Sequence, residues 1–251
     1  MSKSPTTKIA THTADDVFVR GKSLCDDLIG KLTFTEMTYF HLLGTMPTPA
    51  QTAVLDASLV TLMEHGLTPS VVATRLVYTS APEAMQGAVA AGILAVGSLF
   101  VGTVEGAAQL LTRIVSGDGD GEAEARRVVA EHRAQGKHVP GFGHPVHKPD
   151  DPRPGALFRV AEAHGIAGRH VAALKLLAAA VDDAAGKHVT INATGAIAAV
   201  LLDASIPSSI MRGLAILARC AGLVGHIHEE QSSPAMRAMW EAAERAVPHE
   251  P

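Results

Sequence analysis

Apolar residues recur at helical spacing along most of this chain, between Thr-Pro starts and Gly stops. Thr48-Pro49 supplies a cap followed by proline at the first helical position. Val54, Leu55, Leu59, Leu62 and Met63 then share a helix face, and Gly66 stands where a C-terminal cap ends the run. Phe34 to Leu43 stops at Gly44, with Pro47 just beyond, and Glu122 to Ala134 starts acidic and stops at Gly136. Arg169 to Ala185, Ala193 to Asp203 and Pro207 to Gln231 continue the pattern, the last with an expected break near Gly222 or Gly225. Only His188 to Ala193 reads as strand, and it is short. Aromatics make up 4% of residues, so the core must be built from Ala, Val and Leu. That favours close-packed helices over a sandwich, whose strands favour aromatic and β-branched residues. The expectation is an all-α chain of about ten helices.

At 251 residues the length permits one large domain or two modest ones. A 47% hydrophobic, 18% charged composition excludes disorder. With 21 basic against 25 acidic residues there is no clustered basic face for nucleic acid, and no nucleic-acid partner is expected. The two cysteines, Cys25 and Cys220, are too few for a disulfide or zinc framework. The polar N-terminus lacks an apolar signal core, so a cytoplasmic location is expected. Ala84 to Val104 carries no charge and is long enough to span a bilayer. It reads instead as a fully buried helix at the centre of a soluble protein or in its dimer interface. No membrane partner is expected, and a monomer is not expected either.

Gly136 to Pro154 breaks the helical pattern with five prolines, three glycines and three histidines. Long irregular loops inside compact domains tend to be functional. This one offers His144 and His147, three apart, and Arg153 nine residues after His144. An imidazole can polarise a carbonyl or exchange a proton, and a guanidinium grips a carboxylate bidentately. Glu64-His65-Gly66 forms a second cluster at a helix end. Arg219 and His226, seven apart, share one helix face in a third. Together they describe a site for a small polycarboxylate. No HExxH or Cys/His spacing is present, so no metal is expected, and the Ser116 to Glu122 turn lacks the spacing of a calcium loop.

Three of these segments resemble the citrate synthase superfamily. Pro140-Gly141-Phe142-Gly143-His144-Pro145-Val146 with Asp151-Pro152-Arg153 is similar to its PGFGHxV…DPR motif. Glu64-His65-Gly66 resembles the family's Asp-His-Gly/Glu segment. Arg219, Gly222, His226 and Glu230-Gln231 resemble its Arg-to-Glu-Gln helix. The order agrees, from about Leu28 to Gln231, and the wording is nearest the citryl-CoA lyase branch and the citryl-CoA module of ATP-citrate lyase. The resemblance implies an all-α, citrate synthase-like fold. A large helical domain (1–104 and 195–251) would carry a smaller mobile helical domain (105–194), in a homodimer or higher homo-oligomer. It implies a small-molecule CoA thioester as partner, coenzyme A as part of the substrate and no tightly bound cofactor. His65, Arg153 and Arg219 would bind substrate, and His144, His65 and the position of Thr194 would carry the catalysis. Pro140, Gly141, Phe142 and Gly143 would lie against coenzyme A. The implied reaction is cleavage of citryl-CoA to acetyl-CoA and oxaloacetate.

Two departures stand out. Phe100 occupies the position of a catalytic His of citrate synthases, which favours the lyase branch over condensation. Thr194, in Ile191-Asn192-Ala193-Thr194-Gly195, stands where the family has its catalytic Asp, and a hydroxyl is a poor acid or base at neutral pH. Glu105, Asp182 or Asp183 are possible substitutes, and no spacing selects among them. Arg237 is the weak candidate for an arginine crossing from a partner subunit. Thr194 therefore keeps open a lyase or hydrolase acting on a different hydroxyacyl-CoA, or a non-catalytic binder of CoA esters.

Overall fold

Eleven α-helices, one small sheet, a π-helical turn (Leu24–Leu28) and a 3-10 turn (Ser208–Ile210) account for the regular structure of the described residues, 4–97, 101–117, 120–166 and 168–250 of this computed structural model. The sheet was not legible in the sequence. Strands β1 (Ala10–His12), β2 (Val17–Val19) and β3 (Lys22–Ser23) pair antiparallel, with Ala10 opposite Val19 and Phe18 opposite Ser23. Strands of two or three residues carry too little alternation to register as a pattern.

Helix α1 spans Phe34–Leu43, α2 Pro49–Met63, α3 Pro69–Ser80 and α4 Met85–Leu94. Then follow α5 (Thr103–Ser116), α6 (Gly121–Ala134), α7 (Pro152–Ala163) and α8 (Arg169–Ala185). The chain ends with α9 (Ala193–Asp203), α10 (Met211–Ser232) and α11 (Met236–Ala246). Thr33 and Thr48 each close a reciprocal capping box, with Glu36 and Gln51, so the Thr-Pro reading of the α2 start is correct in detail.

Helix α9 is the hub. Ala196 through Leu201 are each at most 1% exposed, and α2, α5, α7 and α8 all pack on it. A helix apolar all round must be enclosed, and its alanines let neighbouring backbones come close. The surrounding core is contiguous from Tyr39 on α1 to Ala218 on α10.

Two expectations about long helices need correction. Ala84 to Val104 is not one buried helix. Helix α4 ends at Leu94, which is 87% exposed, and α5 begins only at Thr103. Gly97 and Gly102 lie between them, and only Ala88 and Gly92 of α4 are buried. Conversely, α10 does not break at Gly222 or Gly225. At Gly222 a Cβ would stand 2.1 Å from the Met63 carbonyl oxygen, so that glycine lets α10 approach the end of α2. By length and composition Ser208–Ser232 is apolar enough to cross a bilayer, but it packs on α2, α3, α4 and α5 as a core helix. His188 to Ala193 reduces to a single bridge, Ile191 opposite Phe142, before α9 begins.

Candidate active site

That bridge ties the irregular loop to the start of α9. Gly143 N–H donates to the Thr190 carbonyl (2.8 Å), and Asn192 N–H donates to the Gly141 carbonyl (3.0 Å). Asn192 also donates from Nδ2 to the Gly143 carbonyl (3.0 Å), while its Oδ1 caps α9 by accepting from Thr194 N–H and Gly195 N–H. Gly141 has φ +94°, and a Cβ on it would stand 3.0 Å from Gly195 Cα. Both glycines are therefore required where the Pro140 to Gly143 turn crosses the first turn of α9.

Asp151 anchors the other end of the loop. Its side chain is wholly buried and it caps α7. Oδ1 accepts from Arg153 N–H and Nε, and Oδ2 from Arg153 Nη2 (2.7 Å) and Ala193 N–H (3.2 Å). Burial alone would raise this carboxyl, but the Arg153 hydrogen bonds and charge hold it below the ordinary Asp range. Arg153 is thereby fixed in orientation with its Nη1 edge left over.

Between these anchors, His144 and His147 meet His65, which follows α2. Ring centroids lie 4.4 Å apart for His144 and His147, 5.1 Å for His65 and His144, and 5.2 Å for His65 and His147. His144 Nδ1 accepts from the backbone N–H groups of Val146 (3.1 Å) and His147 (2.9 Å). Its single proton in the neutral ring is therefore on Nε2. Burial first, then the positive fields of His147, Arg153 and His65, push the His144 pKa below 6.5. Burial likewise leads the lowering at His65, with Arg153 and His147 adding to it and Asp151 opposing. The three rings offer nitrogens within 4.8 Å of one another, a spacing that could hold a metal ion. Ligation through His144 Nε2 would require its proton to move to Nδ1, against two backbone donors, so the donor set does not suit a cation.

Arg219, on α10, is 3% exposed, yet its Nε and Nη1 have no hydrogen-bond partner among the described residues. Burial lowers its pKa, with Glu64 opposing and Arg153 adding to the fall. A buried guanidinium without an anion is costly, and an incoming carboxylate would satisfy it. The Glu64 carboxylate holds the His65 turn by accepting from His65 N–H (2.7 Å) and Gly66 N–H. It also accepts from His226 Nε2 (2.8 Å), and His226 Nδ1 accepts in turn from Arg75 Nη2 (2.8 Å). Arg75 is buried and bonds Glu229 and Glu230.

The structure thus brings His65, His144, Arg153 and Arg219 into one electrostatic neighbourhood, flanked by the Pro140 to Gly143 turn. Thr194 sits in the first turn of α9 with its hydroxyl donating to Asn192 Oδ1 (2.7 Å) and paired with the Thr103 hydroxyl (2.8 Å). Its proton is committed to Asn192. The three substitute carboxylates are also engaged or remote. Glu105 pairs with Arg212 (3.1 Å), and Asp182 accepts from His188 and from Val189 N–H. Asp183 lines a separate groove of about 500 Å³ with Arg126 and Arg133. Arg237 pairs with Glu241 on α11, and Phe100 lies outside the described residues. Sequence reasoning missed Arg75, a lone basic residue in an apolar helix, and Thr103. Asn192 had a signal that went unused, since it directly precedes a helix as a cap residue does.

The description "Citrate synthase, C-terminal domain" matches residues 5–239. Among solved structures, the citryl-CoA lyase from Hydrogenobacter thermophilus is 30% identical, with TM-score 0.86, covering 99% of this chain and 95% of that one. A variant of the ATP citrate lyase from Methanosaeta concilii, in complex with (3S)-citryl-CoA, is 18% identical with TM-score 0.82. It covers all of this chain and 42% of that one, and at this identity shows the fold alone. A curated relative from Mycobacterium tuberculosis, assigned as a citrate synthase, is 27% identical over 192 residues, or 74% of this chain. The chain spans half or less of the length of the curated relatives it matches, 49% in that case.

Proposed function

We propose that this chain, which belongs to the citrate synthase family, is a citryl-CoA lyase-like enzyme. It cleaves citryl-CoA, or a close analogue, to acetyl-CoA and oxaloacetate. The observation that carries this reading is the buried guanidinium of Arg219, unpartnered among the described residues and close enough to His65 to act on its charge, on a scaffold the size of a known citryl-CoA lyase. Arg219 and the free edge of Arg153 would bind carboxylates of the citryl group. His144 would donate from Nε2 to the oxygen that passes between alcohol and carbonyl, which stabilises charge developing there. His65 would complete the pocket. The Pro140 to Gly143 turn would lie against coenzyme A, which enters as part of the substrate and not as a bound cofactor.

We keep three further expectations as part of this proposal. The small unit (105–194) would move against the rest, the site lying where they meet. The enzyme would be a cytoplasmic homodimer or higher homo-oligomer. Support for assembly comes from large apolar side chains left exposed on neighbouring helices: Leu76 on α3, Met85 and Leu94 on α4, and Trp240 on α11. A second reading has its own observation. Because the Thr194 proton is committed to Asn192, a different hydroxyacyl-CoA that needs no acid at that position fits equally well.

The test is coupled detection of oxaloacetate and acetyl-CoA after mixing the protein with citryl-CoA. The wild type should turn over, and Arg153→Ala should lose on the order of 10–100-fold in kcat/KM, as removal of a charged hydrogen bond predicts. Tight binding of citryl-CoA without product would overturn the lyase and leave a CoA-ester binder.

A further inference from the structure

The hydrogen bonds around the three imidazoles fix how many protons they hold and where. His144 carries its proton on Nε2 and cannot accept another without giving up both backbone bonds on Nδ1. Cleavage of the proposed substrate nevertheless requires the hydroxyl proton to leave. Thr194 cannot take it as a neutral hydroxyl bonded to Asn192 and Thr103. Nor can Asp151, whose two oxygens already accept four N–H bonds, three from Arg153 and one from Ala193. What remains is the contact between His65 and His147, whose Nε2 atoms stand 3.1 Å apart. At that distance one nitrogen carries a proton and the other accepts it. The ring that donates keeps a lone pair on its own Nδ1, and the ring that accepts carries its proton there. Neither Nδ1 has a protein partner among the described residues, and both rings are only partly buried.

We propose that His65 and His147 form a two-ring proton relay, with His65 receiving the substrate's hydroxyl proton and His147 passing a proton on to solvent. This rests on the hydroxyacyl-CoA reading above. As the O–H bond breaks, its proton bonds to His65 Nδ1, the bridging proton moves from His65 Nε2 to His147 Nε2, and the Nδ1 proton of His147 leaves to water. The oxygen becomes a carbonyl as the electron pair of the carbon–carbon bond moves into the thioester enolate. The enolate carbon then takes one proton from water, so no proton is gained or lost overall. His147 is a positioning residue in this scheme, acting through His65. The charged and titratable groups facing the pair are Arg153, Asp151, Arg219 and His144, with Glu64 beneath the turn. The two guanidiniums oppose a lasting positive charge on the pair, which favours passing the proton on over storing it.

The test combines turnover of citryl-CoA by His147→Gln with ¹⁵N imidazole NMR of the wild type and the variant. Glutamine keeps the polarity and cannot relay. The expected result is a fall in kcat of about 10²–10⁴-fold, the usual contribution of acid–base catalysis, with KM changed only a few-fold and the acidic limb of the kcat profile lost. In the wild type the spectra should show His144 protonated on Nε2 alone, with one of the other two rings protonated on Nδ1 and one not. A variant with wild-type kcat, or wild-type spectra in which His65 and His147 are both protonated on Nδ1, overturns the relay. If the wild type cleaves no citryl-CoA, the functional reading has failed, and the tautomer pattern still decides whether the two rings share a proton.

Discussion

Two buried arginines, Arg219 on helix α10 and Arg75 on α3 facing it, behave as opposites. Arg75 is 1% exposed and Arg219 3%, so both carry a charge out of water at a cost of several kcal/mol. Around Arg75 the protein supplies Glu229, Glu230 and His226, and although burial acts downward, the two carboxylates raise its pKa. Around Arg219 the described residues supply no partner for Nε and Nη1, and burial lowers its pKa. One guanidinium completes the fold and the other awaits an anion. The two regions are nonetheless linked. His226 carries the Arg75 network to Glu64, and Glu64 grips the turn that presents His65.

The contrast breaks most visibly at Glu230. Glu230→Ala leaves Arg75 buried without its best partner and frees two N–H groups at the start of α11, Ala235 and Met236. Urea unfolding should show a loss of about 3–5 kcal/mol, the usual consequence of breaking a buried pair. A loss below about 1 kcal/mol would place Arg75 in the same class as Arg219. Next in size is Gly222→Ala, whose new methyl would sit 2.1 Å from the Met63 carbonyl and force α10 off the end of α2. About 1–3 kcal/mol of stability should go. Arg219, one turn earlier on the same face, should lose ligand affinity with it.

Acid sharpens the contrast in a graded way. The folded state holds the His65 and His144 pKa values below 6.5, so the unfolded chain binds protons first. Their contribution is whole above pH 6.5 and declines as pH falls toward their folded values. Asp151 and Glu230, lowered from 3.8 and 4.5, add a second decline below those values. Half-exposed His188, raised by Asp182 and Asp150, works weakly the other way, its contribution fading as pH rises through its folded pKa. Thermal midpoints measured against pH should therefore fall in two acid stages, and a flat profile from pH 7 to about 5 would contradict the buried-histidine assignment. Thr103→Val should have the smallest effect. It removes one hydroxyl pairing with Thr194 and should cost about 1 kcal/mol, with Thr194 still bonded to Asn192.

The helical framework was readable because its signals are local. Thr48-Pro49 and Gly44 mark helix ends through their own backbone geometry, and the structure places caps there. The uncharged run from Ala84 to Val104 misled because hydrophobicity alone does not reveal where a helix stops and where a glycine admits a neighbour. Gly222 does the second inside an unbroken helix. Motif spacing brought out His144, Arg153 and Arg219, while the role of Thr194 became legible only through Asn192 and Thr103, the latter 91 residues away in sequence. Arg75 had no signal at all, because its partners lie over 150 residues further along the chain.

The most direct test of the two-arginine account is calorimetric titration of oxaloacetate into the wild type and Arg219→Leu, with thermal unfolding of both. The account predicts that the variant loses roughly 10–150-fold in affinity, the equivalent of about 1.5–3 kcal/mol for hydrogen bonds to a charged group, while its stability is unchanged or raised. A variant that binds oxaloacetate as the wild type does, yet unfolds several degrees earlier, would show that Arg219 serves the fold as Arg75 does.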